Sequence, residues 1–194
     1  DVYAGYLAKK MGLPINKLIV ATNQNDILHR AISMGTYDVE KVMETISPSM
    51  DIQIASNFER LIYDLNNCND VKTTNAMKDI KEKGKYTLNK ESLNKINIDF
   101  LSSRISEQEA LKTIKTVYEN FNIVLDPHTA IGYGAFDKVN LSGNNIVLGT
   151  AHPCKFPDAI KRSISITAKL PDELSFILNE KENYDIVEND LAKI

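Results

Sequence analysis

The sequence predicts an α/β fold, a sheet covered by helices on both faces, and three observations carry that prediction. The opening segment reads helix, strand, loop, helix. A second apolar run, Asn145-Ile146-Val147-Leu148-Gly149, leads straight into a polar loop. Between them lie helical patterns with recognisable caps and apolar faces.

In Asp1-Val2-Tyr3-Ala4-Gly5-Tyr6-Leu7-Ala8-Lys9-Lys10-Met11 apolar or small residues recur at helical spacing, and Gly12 followed by Pro14 is a helix stop. Lys17-Leu18-Ile19-Val20-Ala21-Thr22 is a short β-branched run bounded by the polar Asn23-Gln24-Asn25, the pattern of a buried strand that ends in a loop. A helix from Asp26 to Met34 follows, closed by Gly35. Thr45-Ile46-Ser47-Pro48-Ser49-Met50 is a turn-rich connection, and Asn57 is placed to cap a helix running from Phe58 towards Asn66. The stretch 69–100 is polar and rich in Asn and Lys, and its weak amphipathic patterns predict helices on the outside of the fold. Ser106 with Glu109 makes a capping box, and Ala110, Ile114, Val117 and Phe121 give the next helix its apolar face. Asp126-Pro127 starts a further helix, with proline at its favourable first position, that buries Ala130, Ile131 and Tyr133. The run at 145–149 reads as a second buried strand, and the turn Thr150-Ala151-His152-Pro153-Cys154-Lys155-Phe156-Pro157 at its carboxyl end is where open α/β sheets place ligands. From Leu170 to Ile194 the pattern is a helix followed by an acidic tail.

Composition narrows the function classes. With 194 residues the chain suits one ordinary domain or a large piece of a bigger one. The formal charge of −3 is small, and basic residues alternate with acidic ones, as in Lys78-Asp79-Ile80-Lys81-Glu82-Lys83, which argues against nucleic acid as a partner. No apolar run approaches the ~20 residues of a membrane span. Cys68 and Cys154 lie far apart and make no metal-ligand spacing, so both read as free thiols in a reducing, cytoplasmic setting. The chain opens on Asp1 instead of methionine, so the absence of a signal peptide carries no weight.

Three segments, in order, resemble threonine synthase, a family of fold type II pyridoxal-phosphate enzymes. The first is Asp1-Val2-Tyr3-Ala4-Gly5-Tyr6 with Lys10-Met11-Gly12-Leu13-Pro14 and Ala21-Thr22-Asn23-Gln24-Asn25-Asp26. The second is Ser47-Pro48-Ser49-Met50-Asp51-Ile52 with Ser56-Asn57-Phe58-Glu59-Arg60. The third is Asp126-Pro127-His128-Thr129-Ala130 with Gly149-Thr150-Ala151-His152-Pro153-Cys154-Lys155-Phe156. The family usually has alanine where Cys154 stands, and the Asn- and Lys-rich centre carries no diagnostic motif.

The resemblance implies part of a fold type II large domain, a mostly parallel sheet flanked by helices. Residues 1–169 would be the C-terminal part of the cofactor-binding catalytic domain, with a helical insertion at roughly 69–100, and 170–194 a C-terminal helix and tail. The implied cofactor is pyridoxal 5′-phosphate, and the implied reaction of the intact enzyme converts O-phospho-L-homoserine and water into L-threonine and phosphate. The resemblance places Thr150 beside the pyridine nitrogen, where its hydroxyl donates or accepts one hydrogen bond. The plainer alternative is a threonine that satisfies loop backbone groups. The glycine-rich phosphate loop of the family would end just before Asp1, and the free N–H groups of a helix start favour a phosphate. The backbone of Val2, not the Asp1 carboxylate, is therefore expected at the phosphate, against the alternative of an ordinary helix cap.

Other polar residues keep two readings. His152 could contact substrate or hold its loop, His128 could serve the site or pack beneath it, and Lys155 could meet a substrate phosphate or be a solvated loop lysine. His29 is expected on an exposed helix face, and Asn23, Asn25 and Asp26 as a cap-and-turn cluster. The Schiff-base lysine of the family is not reproduced: Lys78-Asp79 matches as a dipeptide only, in a polar helix without the buried surroundings that would activate an amine. The catalytic lysine and the N-terminal domain that holds it are thus expected outside this sequence. Rival readings are a threonine synthase-like phospho-lyase, another fold type II β-replacement enzyme, or a non-catalytic ligand-binding relic.

Overall fold

A computed structural model of the protein describes residues 2–191. Its first four elements are α1 (Val2–Lys10), β1 (Leu18–Thr22), α2 (Ile27–Met34) and β2 (Thr36–Asp38). A single 3-10 turn, Pro48–Met50, precedes α3 (Ser56–Leu65), α4 (Asp70–Lys83), β3 (Lys85–Thr87), α5 (Lys90–Asp99) and β4 (Phe100–Arg104). Then come α6 (Glu107–Phe121), α7 (Pro127–Val139) and α8 (Pro157–Ile164).

The centre is a parallel pairing of β1 with β4, in register from Leu18 opposite Phe100 to Thr22 opposite Arg104. Alternation along β1 sends successive side chains to opposite faces. Val20, with Leu18 and Phe100, joins the larger core, which holds Tyr6 of α1, Ile27, Ala31 and Ile32 of α2, and Phe58, Leu61 and Ile62 of α3. Ile19 and Ala21 turn the other way, onto Ile105, Ala110 of α6, and Ile131 and Ala135 of α7. The pair is thus covered on both faces, which explains why β1 reads as a continuous apolar run. A third cluster, Ile114, Ala130 and Ile160, ties α6, α7 and α8 together.

Local chemistry sets the helix ends. Gly35 closes α2 in the left-handed region at φ 75°, a conformation that costs glycine nothing. Gly5 lets α1 approach β1: a Cβ there would lie 2.9 Å from Leu18 Cδ2. At the start of α6, Ser106 Oγ accepts from the Glu109 amide while Glu109 Oε2 accepts from the Ser106 amide at 2.7 Å.

The parallel pair flanked by helices agrees with the expected fold class, and β2 with β3 form a separate short antiparallel sheet. Other expectations need correction. The run at 145–149 has no paired strand among the described residues; it crosses the surface with Ile146 88% and Leu148 57% exposed. Its β-branched residues match a strand, but a strand needs a neighbour to take its backbone hydrogen bonds. In the polar stretch 69–100 the helices α4 and α5 form as expected, joined by the unforeseen β3. The helix α3 starts two residues earlier than read, and Asn57 lies inside its first turn, accepting from Arg60 instead of capping. Asp172–Asn179 is a 3-10 run, not an α-helix. No helix among the described residues is long and apolar enough to cross a membrane.

The capping box yields an acid-stability prediction. Hydrogen bonds from Lys138, and then from Ser106, hold the Glu109 carboxyl at about 2, below its ordinary 4.5. A carboxyl held low stabilises the fold above its unfolded value, and that contribution is lost as pH falls from 4.5 through about 2. Because the carboxylate is 44% exposed, solvent screens its ion pair with Lys138. Glu109→Gln should therefore cost about 1 kcal/mol at neutral pH. In urea titrations the gap between wild type and variant should close as pH is lowered across that window.

Candidate active site

Parallel sheets bind ligands at the carboxyl ends of their strands, and here that edge carries a polar seam. Past Thr22, β1 continues into Asn23 and Asn25, both buried. Asp51 gathers them: its Oδ1 accepts from Asn23 Nδ2 at 2.6 Å, Asn25 Nδ2 at 2.9 Å and Thr45 Oγ1 at 2.7 Å, and its Oδ2 accepts from the Thr45 amide at 2.8 Å. The Asn25 side chain also clamps Met43, giving to its carbonyl and accepting from its amide. Ser47, fully buried, lies 2.9 Å from Asn23 Nδ2. These bonds staple the turn at 43–51 to the end of β1.

The same turn reaches α7. The Ser49 amide donates to His128 Nε2 at 3.3 Å, so that nitrogen is bare and the ring proton sits on Nδ1, which donates to Asp126 Oδ1 at 3.0 Å. His128 is neutral in this arrangement. Asp126, 1% exposed, caps α7 by accepting from the amides of His128 and Thr129. Burial alone would raise its pKa, but hydrogen bonds from His128 and Thr129, side chains and amides together, hold it below the ordinary aspartate value. Thr129 donates its hydroxyl to Asp126 Oδ2 and accepts from the Thr150 amide at 3.2 Å.

Thr150 therefore stands over the N-terminus of α7, exposed, with no partner for its hydroxyl among the described residues. Val2 begins α1 on the opposite face of the β1–β4 pair, partly buried against the larger core. Gly5 of α1 packs on Leu18 at the start of β1, and Lys9 near the end of α1 pairs with Asp99 just before β4. No acidic side chain lies in the first turn of α1; Asp1 is outside the described residues. Two further groups at the edge, Thr22 Oγ1 and Gln24 Oε1, are buried without a hydrogen-bond partner among the described residues. Orphans of this kind are uncommon and mark places where something else completes the chemistry.

The remaining candidates are brought elsewhere. His152 caps the single turn Pro153–Lys155, accepting from the Cys154 amide at 3.2 Å, and Lys155 is exposed without an ion pair among the described residues. His29 is half-buried, not exposed: its Nδ1 lies 2.9 Å from Ser102 Oγ on β4, and burial lowers its pKa. Asp26 pairs with Arg30 at 2.8 Å and Arg104 at 3.6 Å, tying α2 to β4. Lys78 and Asp79 make exposed pairs with Glu82 and Lys83 along α4. The described residues hold no cluster able to ligate a metal. Of the two carboxylates that organise the site, Asp126 was read from the sequence only as a helix start, and Asp51 was not singled out.

A parallel pair covered on both faces, with a polar seam past the carboxyl end of β1, puts the chain in the α/β class of folds. Similarity sharpens this. A family model described as "Threonine synthase, C-terminal" matches residues 129–194. Threonine synthase of Pseudomonas aeruginosa is 41% identical over all of this chain, and that of Saccharomyces cerevisiae 40% identical over 97% of it. Among solved structures, pyridoxal-phosphate-bound threonine synthase from Brucella melitensis superimposes with a TM-score of 0.91 over 99% of the chain, at 41% identity. Yeast threonine synthase does so with a TM-score of 0.84 over 94% of the chain, at 40% identity. The chain belongs to the threonine synthase family. It spans about 42% of the length of these relatives.

Asp51→Ala would strand the buried amides of Asn23 and Asn25 and should cost about 2–4 kcal/mol, against less than about 0.5 for Lys155→Ala on the open surface. Chemical denaturation of the two variants beside wild type checks the contrast.

Proposed function

We propose that this chain supplies one wall of a threonine synthase active site, within an enzyme that converts O-phospho-L-homoserine and water into L-threonine and phosphate with pyridoxal 5′-phosphate. The observation that carries the reading is the Thr150 hydroxyl, left without a partner among the described residues on a loop that is itself anchored to α7. In this reading residues 1–169 belong to the cofactor-binding domain, with 69–100 a helical insertion and 170–194 a terminal extension. In the same reading the Schiff-base lysine lies outside this sequence.

The residues present fit the cofactor. Thr150 would meet the pyridine nitrogen through its hydroxyl, and the first-turn amide of Val2 would meet the phosphate, where the dipole of α1 favours negative charge. When bound, pyridoxal phosphate withdraws electrons from bonds at the substrate α-carbon. A neutral hydroxyl does not oblige the ring nitrogen to carry a proton, so Thr150 would set a weaker electron sink than a carboxylate in its place. His128, with its proton committed to Asp126, would be a fixed neutral group under the loop and not a proton shuttle. The Asn23, Asn25 and Asp51 seam would hold the edge rigid, so that little reorganisation is needed when substrate arrives. Its free thiols suit a reducing, cytoplasmic setting.

Two outcomes test the reading. The 194-residue chain alone, given cofactor and O-phospho-L-homoserine, should release no phosphate above the uncatalysed rate; turnover would refute the placement of the lysine. In a full-length enzyme that includes this chain, Thr150→Val should weaken cofactor binding about tenfold, whereas Thr150→Ser should stay within about threefold of wild type, as expected for one hydrogen bond to a polar ring atom. Fluorescence titration with pyridoxal phosphate reads both.

A further inference from the structure

We propose that Asp126, His128 and Thr129 act together as positioning residues that lock the Thr150 loop and the Ser47-Pro48-Ser49 turn into one frame. Its functional meaning rests on the reading of Thr150 given above; the frame itself rests on geometry alone.

An ordinary helix cap would account for the bonds from Asp126 to the amides of His128 and Thr129. It does not account for the two side-chain bonds, each of which passes on to a different loop. Asp126 Oδ1 takes the Nδ1 proton of His128, leaving Nε2 to accept from the Ser49 amide. Asp126 Oδ2 takes the hydroxyl proton of Thr129, leaving its oxygen to accept from the Thr150 amide. A hydroxyl has one proton to give, and a neutral imidazole has one donor and one acceptor. The carboxylate therefore fixes the polarity of both arms: by accepting twice it turns Thr129 and His128 into acceptors facing outward. Packing follows the same lines, since the ring of Phe156, from the Thr150 loop, lies 4.8 Å from that of His128. All three positioning residues are buried, which makes the arms stiff, while Thr150 is left exposed to a ligand.

The test reads amide hydrogen exchange at Thr150 and Ser49 in a full-length protein that includes this chain, with Thr129→Val, Thr129→Ser and Asp126→Asn. Thr129→Val keeps the shape and removes the acceptor, so exchange at Thr150 should quicken about tenfold while Ser49 holds; Thr129→Ser should restore protection to within about twofold. Asp126→Asn offers an N–H₂ where the carboxylate accepted, upsetting the polarity of both arms, and should quicken exchange at both amides. Should Thr129→Val not fold, the paired response to Asp126→Asn against an unchanged Thr129→Ser still decides. Unchanged exchange at Thr150 in Thr129→Val, equal loss in Thr129→Ser, or no response at either amide in Asp126→Asn overturns the proposal. Thr150→Val keeps its own amide and its bond to Thr129, so unimpaired cofactor binding in that variant would remove the reading of Thr150 while leaving the frame standing.

Discussion

The parallel pairing of β1 with β4 is the constraint on which the rest of the structure depends. Two strands far apart in sequence must lie in register from Leu18 opposite Phe100 to Thr22 opposite Arg104. Parallel strands cannot be joined by a tight turn, so the intervening chain has to leave the sheet, cover it and return. That detour includes α2, α3, α4 and α5, and all four fill the larger core on the Val20 face. The return through β4 then sends the chain across to the Ile19 and Ala21 face as α6 and α7. With both faces covered, the carboxyl edge is the surface where polar groups can gather without breaking a core.

What gathers there is organised by two acids of different character. Asp51 is a hub of many short bonds that fixes the turn at 43–51 to the end of β1. Asp126 is a buried cap whose side-chain bonds run outward through His128 and Thr129. The turn at 43–51 meets both, through Ser47 on one side and Ser49 on the other, so a single short segment joins the strand end to the N-terminus of α7. A buried polar network of this kind stabilises only when nearly every member is satisfied, and of the three buried atoms without a hydrogen bond among the described residues, Thr22 Oγ1 and Gln24 Oε1 lie at the end of β1 and Asp38 Oδ1 lies on β2. The Thr150 side of the proposed cofactor wall lies over this frame, borrowing its rigidity and adding the hydroxyl of Thr150.

The sequence made the local signals legible and the long-range ones only in part. The capping box of Ser106 with Glu109, the Pro127 start and the Gly35 stop depend on a few adjacent residues, and each falls where the pattern puts it. β4 was hidden because Ser102 and Ser103 interrupt its apolar run; Ser102 is explained only by its partner His29, which lies far off in sequence. The same distance hid the surroundings of His29. Ile146 and Leu148 misled for the converse reason: their type says strand, but pairing is decided by a neighbour that the run itself does not contain. Asn23 and Asn25 were visible as turn residues, yet nothing local pointed to Asp51 as the group that holds them. Thr150 and Val2 emerged from the order of motifs, not from any property of a lone threonine or valine.

The most direct measurement is a crystal structure of a full-length protein that includes this chain, with pyridoxal phosphate bound. The account predicts the Thr150 hydroxyl within about 3 Å of the pyridine nitrogen, the Val2 amide turned toward the phosphate, and the Thr150 amide still bonded to Thr129. A pyridine nitrogen held by a carboxylate, or a cofactor seated away from the carboxyl edge of β1, would contradict it.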